Sequence, residues 1–307
     1  MSIYRPLLLL VLSAFALSTA YAQQFVKDLT YEKYTLEDEY LYRKEPRRFQ
    51  WDQIDSLLTH LEGFIAKHHT LGYIQNYKNR KGNAPLVAGA KKNRRGNYVD
   101  AFQIERYQSV PLYRKENDAI KLIRYGQDGS LISILGDSAD YYMVQLADMD
   151  TLVWYVPERY VRPIATTHFD QTIFVDRRNQ NIALMQFEDN RWVVKSMNPA
   201  TTGLSTPAGG RPTPLGSFVV MEKKPRMYYY KTGTKVIGGF APYASRFCRG
   251  GYIHGVPVNL PRKTMIEYSP SLGTTPKSQM CVRNATSHAK FIYDQVENHN
   301  TMVFVIE

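Results

Sequence analysis

The feature that most limits the fold is a repeated pattern of short, alternating apolar runs cut by turn residues, which occupies nearly two-thirds of the chain. Ser130 to Leu135, Tyr141 to Leu146 and Leu152 to Val156 are separated by Gly-Asp and Asp-rich turns. Thr172 to Asp176 and Ile182 to Phe187 flank the polar stretch Arg177 to Asn181. Asp189-Asn190 then turns into Arg191 to Lys195, and Met302 to Ile306 closes the chain. The alternating runs before residue 160 predict a small antiparallel barrel, Thr172 to Lys195 a meander of hairpins, and Met302 to Ile306 a last strand. The expected fold class is mainly β.

Two segments break that period. Ile54, Leu57, Leu58, Leu61, Phe64 and Ile65 recur every three or four residues, which predicts a helix from about Asp52 to Lys67 with one apolar stripe. Downstream, Ala289, Ile292, Tyr293 and Val296 share a helical face, with Asn284 or Thr286 available as cap. We therefore expect a helical, basic N-terminal region over 23–107, a small antiparallel barrel over 108–165 and a second, mainly β domain over 170–307.

Residues 1–22 read as a secretory signal: Arg5, an apolar stretch from Leu7 to Leu17, and the Ala20-Tyr21-Ala22 cleavage site before Gln23. An uncleaved anchor is the alternative, but the apolar run is short for a bilayer and no later stretch is long enough, so no stable membrane insertion is expected after cleavage. The chain has 39 Lys and Arg against 28 Asp and Glu, a formal charge of +11, and +10 remains without Arg5. For an exported, periplasmic or envelope-associated protein, anionic envelope polymers are a better match to that charge than nucleic acid. The basic run between Lys78 and Asn97 reads as a solvated loop that such a polymer would also attract. His60, His68 and His69 lack a carboxylate or thiol at ligand spacing and read as helix-surface histidines, so neither a metal nor another cofactor is expected.

His254 stands in a tight glycine context, Gly250-Gly251-Tyr252-Ile253-His254-Gly255, and Cys281 follows in Ser278-Gln279-Met280-Cys281-Val282-Arg283. A free thiol is mostly protonated at neutral pH, and an imidazole partner activates it. A helix start after Cys281 would add unpaired N–H groups for a thiolate or an oxyanion. With only two cysteines in an exported chain, a Cys248–Cys281 disulfide is the bland alternative, and it would silence such a site. No G-x-S-x-G, Walker loop, H-E-x-x-H or C-x-x-C occurs.

These blocks resemble a known family. His254-Gly255, Ser278 to Arg283 and the upstream Thr213-Pro214-Leu215-Gly216-Ser217-Phe218 fall in the order seen in L,D-transpeptidases of the YkuD type, over about residues 170–307. The usual His-Gly before the cysteine is here Gln279-Met280. The resemblance implies a YkuD-like β-sandwich with a helix after the nucleophile. It also implies Cys281 as nucleophile on peptidoglycan stem peptides, His254 as base, and the Gly255 carbonyl orienting the imidazole. The N–H groups of Met280 and Cys281 would hold the oxyanion, with Arg283, Ser278 and Tyr252 lining the substrate site. Arg283 would bind a carboxylate or serve an ion pair; Ser278 would donate to substrate or turn the chain. If the family's glycine has φ > 0, Met280 is strained by about 1 to 2 kcal/mol. Carboxypeptidase action by the same site, or a wall-binding module with a degenerate site, are the alternatives. Val110-Pro111-Leu112-Tyr113, Gly129 to Leu135 and Trp154 to Pro157 resemble bacterial SH3-like modules, whose role would be wall binding, positioning or spacing.

Overall fold

The computed structural model describes residues 25–67, 70–77, 84–149, 152–204, 210–231 and 233–307. The expected signal segment, His68, His69, Lys78, Arg80 and Lys81 lie outside these.

A six-stranded sheet runs in the order Val26–Lys27, Arg191–Pro199, Asn181–Glu188, Gln171–Asp176, Thr301–Ile306, Gly216–Val219. Its two central strands, Gln171–Asp176 and Thr301–Ile306, pair in parallel with Ile173 opposite Val303, and every residue of both is buried. Alternation splits their side chains between two cores. Phe174, Met302, Phe304 and Ile306 meet helix α1 (Trp51–Lys67) through Ile54, Leu58 and Leu61. Ile173, Val175, Val303 and Val305 pack against Phe247, Ile253 and Val282 of a five-stranded sheet and Ile292 of helix α2 (Thr286–Gln295). The sheet is thus sandwiched between α1 and the layer that carries the site, which is why its strands read as near-continuous apolar runs.

That second layer orders Glu222–Tyr230, Ile237–Cys248, Gly251–His254 and Val282–Arg283, with Val258–Asn259 added on Ile237–Cys248. A seven-stranded sheet holds the strands of 108–165 together with Leu71–Ile74, which sits between Val161–Pro163 and Leu131–Ser138.

The N-terminal region differs from the helical expectation. Its described part has one helix, α1, and six short strands, among them a hairpin of Glu39–Tyr42 with Glu45–Arg48. The two hairpin strands are largely exposed, with charged residues at Glu39, Glu45, Arg47 and Arg48, so they carry little period-two signal. Two of the six are built into the neighbouring sheets: Val26 pairs with Val193, and Gly72 with Ile132 and Pro163. His60, on α1, bonds the Ala147 carbonyl through Nε2 at 2.8 Å. Helix α2 starts after Ala285, with no side-chain cap from Asn284 or Thr286. Its first N–H groups are taken by Glu267 instead, Thr286 donating to the backbone carbonyl at 2.8 Å and Ser287 to the carboxylate at 3.1 Å.

Candidate active site

The strands Gly251–His254 and Val282–Arg283 run parallel, with Ile253 opposite Val282 and His254 opposite Arg283. The Asn284 N–H donates to the His254 carbonyl at 2.9 Å and continues that pairing. Cys281 immediately precedes the second strand. His254, Cys281, Arg283, Ser278, Gln279 and Tyr252 therefore all line one cleft of about 1360 Å³, together with Tyr228, Tyr229 and Tyr230.

His254 is 3% exposed, and its Nδ1 lies 2.6 Å from the Gly255 carbonyl. A carbonyl only accepts, so Nδ1 carries the proton and Nε2 keeps the lone pair. Burial, with the Arg283 cation adding to it, pushes the imidazole pKa down to about 4, against the Gly255 bond that raises it. A base with a free lone pair is thus present at neutral pH. Residue 255 has no room for a side chain, because a Cβ there would lie 2.8 Å from Thr286 Oγ1 and 2.9 Å from Pro242 Cγ.

Cys281 is 9% exposed and unbridged, and its Sγ lies 3.6 Å from the Gly250 carbonyl. Burial raises the thiol pKa, opposed by the Tyr252 N–H, which points at the sulfur, and by Arg283. With the thiol pushed up and the imidazole pushed down, the resting pair is neutral rather than a preformed thiolate and imidazolium. Cys248 is also free; it is fully buried in the inter-sheet core, and burial pushes its thiol up to about 12.

The loop before Cys281 is braced from the Thr213 segment. Met280 adopts φ +75°, the left-handed conformation expected of the glycine it replaces. Its N–H donates to the Arg211 carbonyl at 2.7 Å, and its carbonyl accepts from Thr213 Oγ1 at 2.9 Å. The expected oxyanion role of the Met280 N–H is therefore corrected: that donor is engaged behind the loop. The helix-start contribution is corrected too, since Val282–Arg283 separates Cys281 from α2 and Glu267 occupies the helix's first donors. Ser278 donates to the Cys281 carbonyl, so its hydroxyl turns the chain instead of facing substrate. The hydroxyl of Tyr252 is engaged by Glu222 at 3.1 Å and by Lys224 at 3.3 Å, leaving its ring as cleft lining.

Arg283 makes no ion pair among the described residues, and its buried Nε has no hydrogen-bond partner there. Thr213 braces the loop before Cys281, a part that residue type alone does not reveal. It was visible only as part of a motif, and its bonds to both Gly203 and Met280 depend on distant segments meeting.

Residues 170–305 match the YkuD family model, the L,D-transpeptidase catalytic domain. This segment is a YkuD L,D-transpeptidase catalytic domain. The chain is similar to an L,D-transpeptidase from Mycobacterium tuberculosis, 17% identical over 65% of this chain and 77% of that one, with a TM-score of 0.36. It is similar to an Enterococcus faecium L,D-transpeptidase, 16% identical over 88% and 87%, also at 0.36. A third similar structure is a fused Zn-dependent amidase/peptidase/peptidoglycan-binding protein from Clostridium acetobutylicum, 19% identical at a TM-score of 0.32. The match covers 44% of this chain and 51% of that one, so the chain spans about half its length. No curated protein sequence matches the chain. No helix among the described residues is long and apolar enough to cross a membrane.

Proposed function

We propose that this protein is an exported L,D-transpeptidase that passes peptidoglycan stem peptides through a Cys281 thioester to an acceptor amine. The observation that carries the reading is the convergence, in one cleft lined by the YkuD domain, of a free thiol, an imidazole with its Nε2 lone pair available and a guanidinium that makes no ion pair among the described residues.

Because thiol and imidazole rest neutral, proton transfer accompanies attack. Sγ attacks the carbonyl that links the diaminoacid to the terminal D-residue, and His254 Nε2 takes the thiol proton. The peptide C–N bond then breaks, and His254 returns the proton to the leaving amine. A second stem's amine attacks the thioester and regenerates the thiol. The oxyanion is held by the Cys281 N–H, without the Met280 N–H. Arg283 binds a substrate carboxylate. The excess of basic residues favours attachment to an anionic envelope.

Intact mass of the mature protein incubated with a muropeptide tetrapeptide tests this. The expected result is an adduct on the wild type and none on Cys281→Ala. Cross-linked product identifies the transpeptidase and free tripeptide the carboxypeptidase. Binding with neither adduct nor product overturns the enzyme reading.

A further inference from the structure

The YkuD match begins at residue 170, yet one wall of its cleft comes from far upstream: Tyr77 lines it beside Lys224 and Tyr252. Tyr77 follows the strand Leu71–Ile74 of the seven-stranded sheet, and two interactions hold it against the catalytic layer. The first is a buried latch. Asp128, fully buried at the end of that sheet's Ala119–Gln127 strand, accepts the Asn76 N–H at 2.6 Å, Arg246 Nη1 at 3.1 Å and the Arg249 N–H at 2.8 Å. Arg246 lies in the catalytic strand Ile237–Cys248, and Arg249 just beyond it. Burying a carboxylate and a guanidinium is costly unless their hydrogen-bonding groups are met. The carboxylate is met here only when the two sheets dock in this arrangement.

The second interaction is a relay of contacts toward the sulfur. The Arg246 guanidinium lies 4.4 Å from the Tyr77 ring centroid, and its Nε is 3.4 Å from Glu222. Glu222 accepts the Tyr252 hydroxyl, and Tyr252 lines the cleft beside Tyr77. The Tyr252 N–H in turn faces Cys281. A sheet that only spaced the catalytic domain from the wall would need neither a buried ion pair at the junction nor an aromatic ring in the cleft.

We propose that Tyr77 is a substrate-contacting, specificity-determining residue, and that the upstream sheet completes the stem-peptide site by holding it there through Asp128. This rests on the stem-peptide reading above. The ring supplies apolar contact area with a polar edge, suited to a peptide backbone or an aliphatic side chain.

The test separates binding from chemistry. Calorimetry with a muropeptide tetrapeptide is run on Cys281→Ala with and without Tyr77→Ala or Tyr77→Phe. Acylation by a carbapenem, a small acyl donor, is timed on Tyr77→Ala and Tyr77→Phe with Cys281 intact. We expect Tyr77→Ala to weaken peptide binding about tenfold and Tyr77→Phe about twofold, with carbapenem acylation held within about threefold. Peptide binding unchanged in Tyr77→Ala overturns the proposal. So does an equal loss of peptide binding and carbapenem acylation, which would mark a merely structural residue. A parent that binds no tetrapeptide overturns it as well. If the parent binds peptide but no reagent acylates Cys281, the enzyme reading fails while the binding arm still decides Tyr77.

Discussion

The carbonyl oxygen of Arg211 accepts the amide proton of Met280 at 2.7 Å, and this bond holds a bulky residue in a left-handed backbone conformation beside Cys281. Two effects compete at residue 280. Strain at φ +75° costs about 1–2 kcal/mol, whereas truncating a 5%-exposed Met side chain costs about 2–5 kcal/mol. Packing wins, so both Met280→Ala and Met280→Gly lower stability. Their order is the reverse of the usual one: Gly is free of the strain that Ala retains, and Met280→Gly is the more stable by about 1 kcal/mol after allowing for chain entropy. Urea denaturation of the two variants checks this. Met280→Ala at or above Met280→Gly would rule out the strained loop.

Gly255 permits the imidazole's orientation by having no side chain. Gly255→Ala brings a Cβ within 2.8 Å of Thr286 Oγ1, on α2, and 2.9 Å of Pro242 Cγ, so the 254–255 segment must move. The Gly255 carbonyl moves with it and releases Nδ1 of His254. We expect acylation to fall about a hundredfold or more while tetrapeptide binding changes little, because the base is lost and the cleft remains. Stopped-flow acylation with calorimetry on the same variant separates the two effects. Unchanged acylation would show that the carbonyl does not orient the base.

How much of this was legible beforehand depended on how far each signal reaches along the chain. The period of α1 needs only its own residues, and the expected span from Asp52 to Lys67 is observed as Trp51–Lys67. Tyr141 to Leu146 is a strand over just those residues. The His254 and Cys281 motifs were local as well. What sequence could not show is where distant backbone groups end up. The Met280 N–H looked available because Arg211, 69 positions upstream, gives no sign in sequence of approaching it. Nothing local connects Tyr77 to a cleft built around residue 281. The hairpin around Arg43 gives no signal for a different reason: its strands are largely exposed and rich in charge, so they carry no apolar period.

Arg283 lines the cleft without an ion-pair partner among the described residues. Were it half of a structural ion pair, its removal would destabilise the fold by stranding the partner's charge. An unpaired, partly buried guanidinium predicts the opposite. Arg283→Gln leaves stability within about 0.5 kcal/mol or raises it, while the KM for a carboxylate-bearing stem rises about tenfold or more from loss of a charge-assisted contact. Melting curves and steady-state kinetics on one preparation decide between them. A large loss of stability with unchanged KM would assign Arg283 to structure.

Both cysteines are reduced and both are buried, but in different surroundings. Cys281 lines an open cleft, whereas Cys248 is enclosed among Phe218, Phe247 and Ile253. A maleimide should therefore label one thiol in the native protein and two after denaturation under non-reducing conditions. Cys248→Ala should leave the carbapenem reaction within about twofold. No free thiol after non-reducing denaturation would establish a disulfide and shut the catalytic route.

The pH dependence follows from His254 being held neutral. Burial lowers its pKa to about 4, so the base form persists down to that pH, and the acid limb of kcat/KM should lie near 4 rather than near the ordinary 6.5. Arg283 contributes to that depression, so in Arg283→Gln the limb should move upward. Stability follows the same sign. A depressed folded-state pKa means the unfolded chain binds more protons between about 4 and 6.5, so stability is full above 6.5 and is lost as pH falls through that window. His288, buried on α2 between Asn284 and Ser196, is pushed down to about 3 and adds to the effect. From pH 7 to pH 5 each histidine should remove about 2 kcal/mol, and His288→Gln should remove its share of the slope. Chemical denaturation at the two pH values measures this, and an acid limb at 6.5 with a flat stability profile would mean that the imidazole is open to water and the neutral resting pair is wrong.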